Sequence, residues 1–324
     1  MQPESGVTVA VIIPTYNRAH CVGDAIDSVL NQDPPADEVI IVDDGSTDDT
    51  ATVLAAYGDR IKVLRQKNAG VAAARNAGIK LADSSWAAFL DSDDLWLPGR
   101  MASLHRDLAV AGQNTVAHTG DMRLTGDGYS KRLFELRNLS FDEASGTQIP
   151  DAVGLILPGI FPSVTAVRIE ETLALGGFSE DMPVHEDTSL FSKLAIKGAW
   201  VFTGDVLAQV RRLAGDQDAL INLYDENRLK ALSYIEQSLM ELLAMDLTPS
   251  QRDVIGKSFS GVLFEKSYLE RLSGSKNWIK SLFASLKYHP NRLTSSIKVL
   301  AALVLGTYGY RLVFKQRDKF KRSG

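Results

Sequence analysis

The chain has 324 residues, 45% of them hydrophobic, and a formal net charge of -5 at pH 7, enough for one large α/β domain plus a smaller appendage. Its single cysteine, Cys21, excludes an internal disulfide, and no Cys/His cluster has zinc-ligand spacing. A reduced, cytosolic setting is expected, and any metal must be held by oxygen ligands.

The first apolar run is preceded by Glu4 and no basic residue, the opposite of a secretory signal, so no export is expected. The late apolar run Val299 to Tyr310 has 12 residues, short of the roughly 20 that span a bilayer. Residues 276–324 carry eleven Lys/Arg against one acid, Asp318, which leaves about -15 on the rest by subtraction from the total. The two parts are expected to meet different surroundings, the tail something anionic.

In chain order, VTVAVII at 7–13, closed by Pro14, and EVIIVDD at 38–44 read as fully buried strands. Apolar residues at 22, 25, 26, 29 and 30 have helical spacing between them and complete a β-α-β unit. GSTDDTATVLAAY then places Ser46 or Thr47 at a helix N-cap, and IKVLR at 61–65 is a third strand. Gly70 opens an Ala-rich helix through Leu81, and WAAFLD at 86–91 is a fourth strand ending in acids. This alternation predicts an α/β fold with a mostly parallel, doubly wound sheet. Ligands bind such sheets beyond the carboxyl ends of the strands, where Thr15, Asp43, Asp44, Asp91 and Asp93 fall.

From Asn114 to about Arg212 the pattern is more broken. It predicts a strand near 114–121, a Gly- and charge-rich stretch at 120–148, a strand at Ser163–Arg168, a loop at Gly176–Pro183 and a helix from about Glu186 to Lys197. These form the second half of the same domain. Beyond Asp216 the chain reads as helical, with breaks at Pro249, near Gly274 and at Pro290.

Asp91-Ser92-Asp93-Asp94 follows a buried strand. Alternating acids there can hold Mg²⁺ or Mn²⁺ against a diphosphate, or form a solvated acidic turn; the place after the fourth strand of this series favours the cation. In Asp43-Asp44-Gly45-Ser46 a carboxylate can accept hydrogen bonds from a nucleobase or ribose, while Ser46 and Asp48 cap a helix.

In this order and spacing, VAVIIPTYNR, EVIIVDDGSTDDT, NAGVAAARNAGI and FLDSDDLWLPGR resemble the family 2 glycosyltransferases, and GGFSEDMPVHEDTSLFSKLAIKG at 176–198 is similar to that family's later acceptor-side segment. The resemblance implies a GT-A fold, a nucleoside-diphosphate sugar donor with a UDP-sugar favoured, Mg²⁺ or Mn²⁺, and inversion at the anomeric centre. It implies a catalytic domain at 1–215, split into a donor-binding half (1–113) and an acceptor-binding half (114–215), and a helical extension at 216–324. Pro14, Thr15 and Tyr16 would line the nucleoside pocket, Asp44 would meet the base, and Arg75 would bind the donor. Asp93 would ligate the metal, with Asp91 and Ser92 at the ribose, a metal-bound water or the metal itself. Asp187 would be the general base, with Glu186 as acceptor ligand or alternative base. His185 stays outside this set.

The acceptor implied is a glycan or lipid-linked sugar in cell-surface polysaccharide synthesis. A nucleotidyltransferase would need a Gly-rich loop after the first strand, which PTYNRAH lacks; a catalytically silent nucleotide-sugar-binding protein of the same fold is the other alternative. In the tail, Trp278, Ile279, Leu282, Phe283 and Leu286 recur at helical spacing among Lys276, Lys280 and Lys287, ahead of the basic end KQRDKFKR. This predicts either an amphipathic surface on anionic lipid, hence a cytoplasmic protein peripheral to the membrane, or a helical lid. Nucleic acid is not expected.

Overall fold

The computed structural model describes residues 7–126, 129–211, 227–288, 292–305 and 310. The chain divides into two compact units, Met1–Ala152 with Pro158–Gln217, and Val153–Leu157 with Asp218–Gly324.

The first unit is built on one sheet. Its first four strands are β1 (Val9–Thr15), β2 (Glu38–Asp43), β3 (Lys62–Arg65) and β4 (Trp86–Phe89); β5 (Leu95–Trp96), β6 (Thr115–Gly126), β7 (Tyr129–Arg132), β8 (Thr147–Ile149), β9 (Thr165–Arg168) and β10 (Ala199–Arg211) follow. The order is β3-β2-β1-β4-β9-β6-β10-β5, with β7 beside β6 and β8 beside β10. Along that path only β9 and β5 run against the others, so the sheet is mostly parallel, as the alternating pattern predicts. Pro14 continues β1 rather than closing it. It lies beyond the β1–β4 register, which covers Val9 to Ile12, so its missing N–H costs no bond on that side.

Helices α1 (Val22–Leu30), α2 (Thr50–Ala55), α3 (Val71–Leu81) and α4 (Arg100–Val110) belong to residues 1–113 of the first unit, and α5 (Leu133–Leu136), α7 (Ile169–Ala174) and α8 (Glu186–Lys197) to its later part; α6 (Val153–Ile156) belongs to the second unit. The Ala-rich composition of α3 has a packing cause. A Cβ on Gly78 would come within 2.5 Å of Ile12 Cγ2, so the helix lies against the sheet at a distance only small residues permit. Ala10, Ile40, Val42 and Ala74 form the buried contact. That docking carries the first turns of α3, and Arg75 with them, to the carboxyl edge of the strands.

Two expectations need correction. Helix α2 begins at Thr50, so neither Ser46 nor Thr47 caps it: the Ser46 hydroxyl accepts from Asn17 N, and Asp48 accepts from Thr50 N and Ala19 N. The irregular stretch at 120–148 holds the end of β6, the β7 hairpin partner and part of β8, and β6 pairs along most of β10, a strand the pattern hid. Its register shifts between Phe202 and Val206, which breaks the alternation that marks a strand.

Behind β5, Arg100 and His118 are fully buried. Arg100 Nη1 faces His118 Nδ1 at 3.3 Å, and His118 Nε2 lies 2.8 Å from Asp107 Oδ2. Guanidinium only donates, so Nδ1 is the acceptor and Nε2–H donates to Asp107. Burial is the main cause that lowers the His118 pKa to about 4. The unfolded chain then binds a proton that the folded chain refuses as pH falls from 6.5 to about 4, so this histidine removes stability across that window. His118→Gln is expected to flatten the loss of stability with falling pH, measured by urea unfolding at several pH values; parallel curves for variant and wild type would refute this.

In the second unit, α9 (Arg228–Leu243), α10 (Pro249–Leu272), α11 (Trp278–Tyr288) and α12 (Arg292–Leu305) are all helical as expected. Pro249 breaks the chain by starting α10 at its first position, behind a capping box of Thr248 and Gln251. Gly274, at φ 76°, turns the chain after α10. Phe264, Leu282, Val299, Ala302 and Tyr310 form its core. Pro290, the boundary at 215/216 and the basic end at 315–322 lie outside the described residues. No helix among the described residues is long and apolar enough to cross a membrane.

Candidate active site

The carboxyl ends of β1, β2 and β4 carry the residues singled out from the sequence. Thr15 closes β1 with its Oγ1 buried and without a hydrogen-bond partner among the described residues, while the next residue, Tyr16, is 44% exposed. Pro14 is buried in the strand. Asn17, at φ 52°, turns the chain so that its side chain accepts from Thr47 N and its own N–H donates to Ser46 Oγ. Asp44 is buried and shapes the facing loop: Oδ1 accepts from Gln66 Nε2 at 2.7 Å and Ala69 N at 2.9 Å, and Oδ2 from Gly70 N at 2.8 Å. Gly45 makes that turn possible at φ 82°, where a Cβ would press on Asn68 N at 2.9 Å.

After β4 the acids divide into two kinds. Asp91 and Asp93 are part-exposed, and Asp94 is buried along with Ser92. Asp94 Oδ2 accepts from Ser163 Oγ at 2.6 Å and Oδ1 from Arg211 N at 3.2 Å, which makes it the anchor of the loop. Burial, then Asp91 and Asp93, hold its pKa well above the usual carboxylate range. Ser163 Oγ also accepts from Asp91 N, and Arg211 donates to Asp93 O at 2.7 Å and Asp24 at 2.9 Å. Two part-exposed carboxylates on a braced loop fit a hard cation that takes its remaining oxygens from a diphosphate and water. No group of three His, Cys, Asp or Glu side chains among the described residues is arranged to hold a metal.

Arg75 joins this loop to the other half. Its guanidinium is 3% exposed and donates to Asp91 Oδ1 at 2.7 Å and Glu186 Oε1 at 2.8 Å, with its charge above the Phe178 ring. The adjacent Asn76 does the same for the chain before α8, exchanging hydrogen bonds with Phe178 N and O and reaching Glu180. Arg75 and Asn76 thus brace helix α3 against the loop at Gly176–Pro183.

Helix α8 starts directly after His185, which sits in the left-handed region at φ 73°, strained for a residue with a side chain, and whose Nε2 is buried without a partner among the described residues. Glu186 is buried; burial, then Asp187, raise its pKa to about 7, against the lowering by Arg75. Asp187 is part-exposed, with Oδ1 accepting from Thr188 N and, at 3.1 Å, from Thr188 Oγ1. The arrangement offers one accessible carboxylate beside a second that is sealed in an ion pair. Sequence reasoning missed Asn76, Ser163 and Arg211: Asn76 lies beside a residue it singled out, but nothing local marks a serine before β9 or an arginine ending β10.

The acidic loop after β4 and the Glu186–Asp187 pair thus meet at Arg75, on the edge of a mostly parallel sheet. Residues 10–152 match the model of Glycosyl transferase family 2, and the chain belongs to that family. An uncharacterized glycosyltransferase of Rickettsia bellii (strain RML369-C) is 32% identical over 233 residues, 70% of this chain and 32% of that protein. The putative teichuronic acid biosynthesis glycosyltransferase TuaG of Bacillus subtilis (strain 168) is 37% identical over 144 residues, 42% of this chain and 56% of TuaG. The chain thus spans about a third to a half of the length of these relatives. Residues 1–349 of S. aureus TarS, solved in complex with UDP-GlcNAc, share the fold with a TM-score of 0.71 at 18% identity, over 97% of this chain and 92% of that one.

Proposed function

We propose that the chain is an inverting glycosyltransferase that moves a sugar from a nucleoside-diphosphate donor, a UDP-sugar by preference, to a hydroxyl of a glycan or lipid-linked acceptor in polysaccharide synthesis. The observation that carries this reading is the Arg75 bridge, which sets the acidic loop and the Glu186–Asp187 pair at one site. TarS, solved with UDP-GlcNAc, and the role in TuaG's name favour the donor and acceptor classes.

Asp187 is the general base. Glu186 is buried and committed to Arg75, whereas Asp187 reaches solvent and its Oδ1 is oriented by Thr188. The acceptor hydroxyl loses its proton to Asp187 as its oxygen attacks the anomeric carbon, and the diphosphate leaves from the opposite face, which inverts the centre. Thr15 and Tyr16 would border the nucleoside, and the rim built by Asp44 the base. Mg²⁺ or Mn²⁺, held by Asp93 with Asp91, would neutralise charge on the departing diphosphate. Ser163, Asp94 and Arg211 keep that loop in place.

Calorimetric titration of UDP, GDP and dTDP with and without Mn²⁺ tests the donor site. One nucleotide should bind in a metal-dependent manner, and Asp93→Asn should weaken it at least about tenfold, the loss of one charge-assisted ligand. Unchanged metal-dependent affinity in the variant removes the metal assignment, and absence of binding to all three removes the donor reading.

The second unit favours a membrane-surface role. Ile279 and Phe283 on α11 and Ile297, Leu300 and Val304 on α12 are exposed, next to exposed Lys276, Lys280 and Lys287. Apolar side chains flanked by lysines suit an anionic bilayer, where a lipid-linked acceptor would lie.

A further inference from the structure

The site is acidic, with Asp91, Asp93, Asp94, Glu186 and Asp187 set against an Arg75 already engaged by two carboxylates. A further cation, Arg137, lies across the Gly159 turn from Thr188. Arg137, which follows α5, donates from Nη2 to Pro158 O at 3.1 Å, and its Nη1 is buried with no hydrogen-bond partner among the described residues. Burial lowers its pKa.

Its location follows from Gly159, where the backbone turns at φ 97° and no side chain intervenes. A Cβ on that glycine would be 3.8 Å from Arg137 Nη2 and 3.7 Å from Thr188 Oγ1. Thr188 Oγ1 is the group that donates to Asp187. Arg137 and Thr188 therefore border the same glycine turn, and Thr188 links that turn to Asp187.

A buried guanidinium nitrogen without a partner is costly, and such groups in native proteins usually have a ligand, ion or water to meet them. A planar guanidinium fork matches the oxygens of phosphate and carboxylate in pairs. We propose that Arg137 binds an oxyanion, phosphate or carboxylate, carried by the acceptor, and so presents a neighbouring hydroxyl to Asp187. Without such a cation the acids of the site would repel an anionic acceptor. The inference deepens the proposed function and rests on Asp187 being the base.

The test is calorimetric, on the full chain saturated with UDP and Mg²⁺ so that the donor site is filled. Glycerol 1-phosphate, dimethyl phosphate, pyrophosphate and glucuronate are titrated in turn, which separates a monoester, a diester, a diphosphate and a sugar acid as the source of the anion. At least one should bind, Arg137→Gln should weaken it about tenfold or more, and Arg137→Lys should recover part of the loss. UDP affinity should stay within about twofold of wild type in both variants, which also reports that they fold. Failure of every anion to bind, or equal binding by Arg137→Gln, overturns the proposal, whereas failure of UDP itself to bind the wild type overturns the donor reading beneath it.

Discussion

Asp187→Asn is expected to leave UDP affinity within about twofold of wild type and to lower sugar transfer by about 10²- to 10⁴-fold, the usual worth of a positioned general base. The amide keeps the shape and can still meet Thr188, so folding is preserved, but it cannot take the acceptor's proton. Glu186→Gln separates the two acids. It leaves the Asp187 carboxylate in place and perturbs only the pairing with Arg75, so transfer should fall less than in Asp187→Asn. Single-turnover transfer from a sugar donor carrying the nucleotide that the titration selects measures both; if Glu186→Gln is the more damaging variant, the base role moves to Glu186.

Arg75→Met is expected to cost about 3 kcal/mol of stability and most of the transfer activity. Removing one partner from a buried ion pair strands the others, at roughly 3–5 kcal/mol. The lower end applies for two reasons: Asp91 reaches solvent at 33% exposure, and Glu186, with its pKa already raised to about 7, can take up a proton. Arg75→Lys should recover little, because a single ammonium nitrogen cannot replace the two separate nitrogens with which Arg75 reaches Glu186 and Asp91. Urea midpoints for both variants, at pH 6 and pH 8, decide the matter. A methionine variant as stable as wild type would mean that the bridge holds nothing together.

The Glu186 proton also predicts the opposite pH trend to His118. The folded chain holds a proton on Glu186 between about 4.5 and 7 that the unfolded chain releases, so stability there falls as pH rises, against the histidine's loss as pH falls. The two slopes offset one another in the wild type, which is why the His118→Gln comparison is informative.

Much of residues 1–113 was legible because the signals there are local. Buried parallel strands appear as continuous apolar runs, helices as period-3.6 stripes, and strand-end acids follow the runs directly, so Thr15, Asp44, Asp91 and Asp93 could be placed at one sheet edge. The capping of α2 was misread because Ser and Thr hydroxyls are equally good partners for a neighbouring turn, and Asn17 took Ser46. Strand β10 was illegible because its register shift removes the alternation that marks a strand.

By itself the sequence determined the family, the order of strands and helices in the first half and the positions of the acids, since each depends on neighbours a few residues apart. Tertiary structure alone decided that Asp94 anchors while Asp91 and Asp93 reach solvent, that Arg75 ties Asp91 to Glu186, and that Arg137 reaches Gly159 beside Thr188. Those facts depend on burial and on which distant groups share one low-dielectric space, and a carboxylate or guanidinium carries no mark of either until the chain has closed around it.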